Sequence, residues 1–239
     1  MSEENLIQYI DIEKNFLGKK PIFTDINLTI NSGEFVFLTG ISGAGKSTMF
    51  NLLLGTETPN EGRVIYRNYD VHKLPKRKIR HHRRSIGMVF QDYKLLTNKS
   101  SRENISIPLK IANSSKNDID YKLNELALKL NIEHLLDQNV ETLSGGEQQL
   151  VAIARAAIHL PDVILADEPT ANLDQKMALK IFNIFERLNA EGITVIIATH
   201  DIHLIKSHKK KENAFRANSE RSFHAFRNFS IHDCKNRIK

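Results

Sequence analysis

One short string limits what this chain can fold into more than any other feature. Gly40-Ile41-Ser42-Gly43-Ala44-Gly45-Lys46-Ser47-Thr48 matches the pattern G-x-x-x-x-G-K-[ST]. Residues 35–39, just before it, form a short apolar run that reads as a buried strand. Residues 46–54 read as a helix, and Gly55 stops it. Glycines let such a loop curl so that its backbone N–H groups face inward. The helix start adds partial positive charge where phosphates sit. Lys46 reaches the outer phosphates, and the Ser47 hydroxyl is placed to ligate Mg²⁺. The plain alternative is a glycine turn that only joins strand to helix. The strand before and the helix after weigh against it.

The remaining elements fit a mostly parallel α/β sheet with additions. Residues 6–12 and 22–30 alternate apolar and polar and read as antiparallel strands. Residues 63–66, 86–90, 163–166 and 194–199 read as further strands, and residues 175–189 as a helix. Between residues 100 and 137, Leu123, Leu126, Leu130 and Leu135 recur at helical spacing, which reads as a small helical insertion, about residues 95–140. No run of about 18 apolar residues is present, so no segment reads as a transmembrane helix. Residues 1–14 carry four acids and no long apolar run, unlike a secretory signal. The lone cysteine, Cys234, cannot form a disulfide within the chain.

Two more strings carry chemistry. The run ending Leu165-Ala166-Asp167-Glu168 puts two acids at a strand end, where parallel sheets open toward ligands. Asp167 suits Mg²⁺, and Glu168 suits orienting and polarising an attacking water. Taken alone, acids at a strand end also serve solubility. Leu143-Ser144-Gly145-Gly146-Glu147-Gln148 starts a helix with exposed N–H groups, a second place for an anion. It also reads as an ordinary cap, Ser144 and Glu147 forming a capping box, and the two readings are compatible. One nucleotide needs one cradle, so a second suggests a nucleotide held by a partner subunit.

Lys46 and Ser47, Gln91, Leu143 to Gln148, Asp167 and Glu168, Asn172-Leu173-Asp174 and His200 occur in an order that resembles the ABC ATPases. The resemblance spans about residues 6–206. It implies a P-loop NTPase core of ABC type with an antiparallel β subdomain and the helical insertion. It implies a head-to-tail homodimer with ATP between the phosphate loop, residues 40–48, of one subunit and Ser144, Gly145, Gly146 and Glu147 of the other. By the same resemblance Lys46, Glu168 and His200 are catalytic, and Ser47, Gln91 and Asp167 serve the Mg²⁺. Gln91 also senses a membrane partner, and His200 contacts the γ-phosphate. Asp174 lies in the loop linking the two sites. Phe16 stands where an aromatic stacks on adenine, although read alone it suits a core position. The strings Ile86-Gly87-Met88-Val89-Phe90-Gln91-Asp92 and Glu103-Asn104-Ile105-Ser106-Ile107-Pro108-Leu109 are most similar to the cell-division branch of the family. That branch implies an FtsX-like integral membrane partner and a peripheral place on the cytoplasmic face of the plasma membrane. The rival expectations are the ATPase of a lipoprotein-release or macrolide-export transporter, and a soluble nucleic-acid-associated ABC protein. The single cassette disfavours the last, and no specific nucleic acid is expected.

Two features depart from that family. Leu150 stands where the family carries arginine. After His200 the expected strands are replaced by a basic tail, residues 207–239, which has no glycine and no strand pattern. Lys209-Lys210-Lys211 suggests an adenine run, and a frame shift there would account for the change. The rival is a native basic tail; in either case residues after Lys210 are expected to be poorly ordered. The net charge of +6 comes largely from this tail and from the run His72 to Arg84. A solvated face, nucleic acid and anionic lipid are all consistent with such charge.

Overall fold

The computed structural model describes residues 5–16 and 21–200, together with the backbone of residues 213–216 and 224–227. In chain order the strands and helices are β1 (Asn5–Lys14), β2 (Phe23–Asn31), β3 (Phe35–Thr39), α1 (Lys46–Leu53), β4 (Glu61–Tyr66), β5 (Tyr69–Asp70), α2 (Lys76–Arg84), β6 (Ile86–Val89), α3 (Ser101–Ile111), α4 (Lys116–Leu130), α5 (Gly145–Ala157), β7 (Val163–Asp167), α6 (Gln175–Ala190), β8 (Thr194–Thr199), β9 (Asn213–Arg216) and β10 (His224–Arg227). They fall into two compact units, residues 1–83 with 194–239, and residues 84–193.

The first unit holds an antiparallel sheet in the order β2-β1-β4-β5. Its alternating sequence puts Leu6, Ile7, Tyr9, Ile12, Ile26, Leu28 and Ile30 in the core while polar neighbours face out. In the same unit β3 pairs in parallel with β8, from Phe35 opposite Val195 to Thr39 opposite Thr199. Both strands are buried along their whole length, as a parallel pair covered on two faces must be. The other edge of β3 pairs antiparallel with β10, which pairs antiparallel with β9. The tail thus contains two short strands that its sequence pattern did not announce. The boundary expected near residue 206 and most of the tail lie outside the described residues.

In the second unit β6 runs parallel to β7, from Ile86 opposite Val163 to Val89 opposite Ala166. The segment read as a helical insertion holds α3 and α4. α5 is the core helix of this unit, with nine buried residues including Leu150 to Ala154. Leu150 is 1% exposed, so its side chain adds apolar packing where an arginine would bring a charge. α2 was not legible as an element. It is treated below.

Candidate functional site

The phosphate loop is built around an uncapped helix start. Gly45 is the N-cap of α1, with φ 98°, and no side chain caps the helix. By contrast Ser100, Ser115, Ser144 and Asp174 each accept a backbone N–H at the starts of α3, α4, α5 and α6. The chain supplies side-chain caps to those four and none to α1, which suits a helix start that faces a phosphate. Only glycine fits position 45. Its φ is left-handed, and a Cβ there would stand 2.5 Å from the Ile22 side chain and 2.6 Å from the Phe23 ring. Ala44 N–H donates to the Ile41 carbonyl at 3.0 Å, which closes the turn. Lys46 is 7% exposed, and its ammonium donates to the Gly40 carbonyl at 2.9 Å. That bond draws the lysine back along the loop it serves. Ser42 and Ser47 are exposed, and Thr48 is half-buried.

Register brings His200 to the same place. Thr39 and Thr199 are directly opposed in parallel strands, so Gly40 and His200 leave the sheet from neighbouring strand ends. His200 is exposed. Phe16, also in this unit, is half-buried rather than in the core, with the Lys14 ammonium 4.7 Å from its ring centre.

The second unit repeats this logic. Val89 opposes Ala166 in the parallel pair β6–β7, so Gln91 emerges beside Asp167 and Glu168. Gln91 is exposed, and both acids are half-buried. Glu168 has φ 46°, an unusual left-handed backbone for glutamate. Such strain concentrates where geometry is imposed by function. Gln91 and Asp167 each carry a side-chain oxygen, the ligand type Mg²⁺ prefers. Among the described residues no cluster of three or more His, Cys, Asp or Glu forms a self-sufficient metal site.

The start of α5 forms a complete capping box. Glu147 N–H donates to Ser144 Oγ at 3.4 Å, and the Ser144 N–H donates to Glu147 Oε2 at 2.8 Å. The Ser144 hydroxyl also donates to the same carboxylate at 2.6 Å. These Ser144 bonds hold the Glu147 carboxyl below its ordinary range. A negative charge therefore already sits at this positive helix end. An anion binding here must compete with Glu147 for the Ser144 hydroxyl. Gly146 is buried against α6, where a Cβ would come within 2.7 Å of the Met177 side chain. Met177 N–H is in turn bonded by Asp174 at 2.9 Å, so the Asp174 loop abuts the start of α5.

Sequence reading missed two residues of this unit. Arg155 donates one guanidinium N–H to the Lys94 carbonyl and another to the Tyr93 carbonyl, each at 2.6 Å. Tyr93 and Lys94 have φ 58° and 48°, two successive left-handed residues just after Gln91. The Tyr93 hydroxyl lies 3.2 Å from where a Cβ on Gly145 would stand. One helix thus grips the Gln91 loop near both of its ends. The available signal was a lone arginine inside the apolar run 150–157.

Known proteins resemble this chain over most of its length. The ABC transporter family matches residues 23–171. The cell division ATP-binding protein FtsE of Haemophilus influenzae is 42% identical over 210 residues, covering 86% of this chain and 94% of its own length. The protein of that name from Escherichia coli K12 is 41% identical over 200 residues, covering 84% and 90%. A dimeric ATP-binding cassette solved in a post-hydrolysis state with ADP and phosphate superposes with a TM-score of 0.75 at 35% identity, covering 83% of this chain and 90% of that one.

Proposed function

This chain belongs to the ABC transporter family, and from that premise we propose that it is the ATP-binding and ATP-hydrolysing subunit of a cell-division complex of the FtsE/FtsX type. The observation that carries the ATPase reading is the start of α1, uncapped, glycine-built and backed by a buried lysine. The division role rests on identity to FtsE proteins over nearly their whole length.

In this reading the N–H groups of residues 40–48 and the Lys46 ammonium hold the β- and γ-phosphates. Ser47, Asp167 and Gln91 would hold a Mg²⁺, which would supply neutralisation of the phosphate charge. Glu168 accepts the proton of the attacking water, and its imposed backbone fixes where the carboxylate points. His200 hydrogen-bonds the γ-phosphate, and Phe16 offers an aromatic face to adenine. Ser144, Gly145, Gly146 and Glu147 meet the nucleotide of a second copy, so ATP joins two chains head to tail. Closure on ATP supplies binding free energy, and hydrolysis resets it. Among the described residues no helix is long and apolar enough to cross a membrane. In this reading the chain reaches the cytoplasmic face of the membrane through an FtsX-like integral partner, as its likeness to FtsE proteins suggests.

Two measurements test this. Purified chain should hydrolyse ATP, and Lys46→Ala should lose nucleotide binding with its fold intact. Co-expression with an FtsX-like membrane protein should yield a complex; turnover without any such complex would contradict the division role while sparing the ATPase.

A further inference from the structure

The nine residues of α2 read Lys-Arg-Lys-Ile-Arg-His-His-Arg-Arg. Lys and Arg are good helix formers, but the charge pattern opposes a helix here. Its first turn has no acid, so Lys76, Arg77 and Lys78 face the positive end of the helix dipole. Lys76 and Arg80, and Arg80 and Arg84, are like charges at i,i+4, which repel. Only His82 is buried and only Ile79 is half-buried, so the segment has almost no apolar face.

Tertiary anchors hold it in place. His82 Nε2 lies 2.6 Å from the Leu53 carbonyl, which can only accept, so Nε2 carries the proton. Nδ1 then accepts from the Tyr69 hydroxyl at 3.1 Å. The imidazole also packs edge-on against Tyr66, with ring centres 5.0 Å apart. Arg83 donates to the carbonyls of Leu54 and Gly55 at 2.9 and 3.0 Å, which caps the C-terminal end of α1. Ile79 sits over Gly55, where a Cβ would meet it at 2.8 Å. Ile79, His82 and Arg83 are the anchors to the first unit. Lys76, Arg77, Lys78 and Arg80 are all exposed. Among the described residues no carboxylate pairs with any of these four.

The fold thus holds a self-repelling cationic segment in place with four of its charges turned to solvent. We propose that this face of α2 docks on the anionic lipid surface of a membrane. Charge complementarity selects an anionic occupant, and repulsion within the face is relieved when phosphates approach it. The segment holds no Phe, Tyr or Trp, the large aromatic platforms on which single-stranded nucleic acid binders stack successive bases. The inference takes from the proposed function only that the protein works beside a membrane, and binding here needs neither ATP nor the partner.

The test is sedimentation of the full chain with vesicles of phosphatidylglycerol in phosphatidylcholine, against vesicles of phosphatidylcholine alone. Wild type should bind the anionic vesicles, and binding should weaken as salt rises. Exchanging Lys76, Arg77, Lys78 and Arg80 together for glutamine should lower partitioning by about 100-fold or more. The variant should keep the wild-type melting temperature and ATP turnover, because none of the four anchors the helix or touches nucleotide. Unchanged vesicle binding by the fourfold variant would overturn the proposal and move the attraction to another basic segment, such as the tail. So would a wild type that ignores anionic vesicles while binding an RNA oligonucleotide at the same salt. Absence of ATP hydrolysis would count against the proposed function and leave the vesicle result standing.

Discussion

At Gly45 conformation and space agree, so a single methyl is decisive there. Gly45→Ala must place a Cβ against Ile22 and Phe23 in a left-handed backbone. The expected cost is about 1–3 kcal/mol, read as a lower melting temperature, together with loss of ATP binding. Glu147 offers the opposite experiment. Its carboxylate occupies the positive end of α5 and holds the Ser144 hydroxyl. Glu147→Gln keeps a capping-box side chain but removes the charge. ATP-driven dimerisation should then tighten by several-fold with little change in stability; weaker dimerisation would mean the carboxylate assists the nucleotide. The strand-loop-helix form around Gly45 and Lys46 was legible because the phosphate loop is a local structure whose geometry its own residues dictate. Arg155 was not, because its partners, the carbonyls of Tyr93 and Lys94, are 62 and 61 residues away in sequence. Lysine at 155 cannot fork to two carbonyls. Arg155→Lys should raise hydrogen exchange over residues 91–95 and lower turnover about tenfold, the scale of one lost charged hydrogen bond. Unchanged exchange there would remove the arginine from the account of the Gln91 loop.

Elements differ in how far they depend on their own sequence. β3 and β8 are apolar throughout, and α5 begins with Ser144 and Glu147 at capping spacing; both were read directly. Strand registers were not, yet they create the site. Thr39 opposite Thr199 joins the phosphate loop to His200, and Val89 opposite Ala166 joins Gln91 to the two acids. α2 lay beyond sequence reading because its stability is tertiary, and that dependence makes it sensitive to pH. Burial lowers the His82 pKa from the ordinary 6.5, opposed by its bond to the Leu53 carbonyl and assisted by the nearby Arg83. His72 and His159 are lowered in the same direction, again chiefly by burial. As pH falls below 6.5 the unfolded chain takes protons that the folded chain refuses. Stability should thus be level above neutrality and fall through the mildly acidic range until the folded groups titrate. A melting-temperature series should show this slope, and His82→Gln should flatten part of it. An identical slope in that variant would place the titration elsewhere.

Across the molecule, each unit carries its own half of the chemistry. One holds the phosphate loop and His200. The other holds the Gln91 loop, the paired acids and the capped start of α5. The family order of these groups was visible in the sequence, since motifs are contiguous. The tail was harder, since β9 and β10 are four residues each and draw their pairing from β3 rather than from any alternation of their own. The central claim is that Glu168 activates water on an ATP that joins two copies of this chain. The most direct measurement compares wild type with Glu168→Gln in ATP, by turnover and by mass in solution. Wild type should hydrolyse ATP and remain largely monomeric at steady state. Glu168→Gln should bind ATP, stop turning over, and accumulate as a dimer that ADP does not support. A variant that hydrolyses at the wild-type rate, or that binds ATP and stays monomeric, would contradict the account.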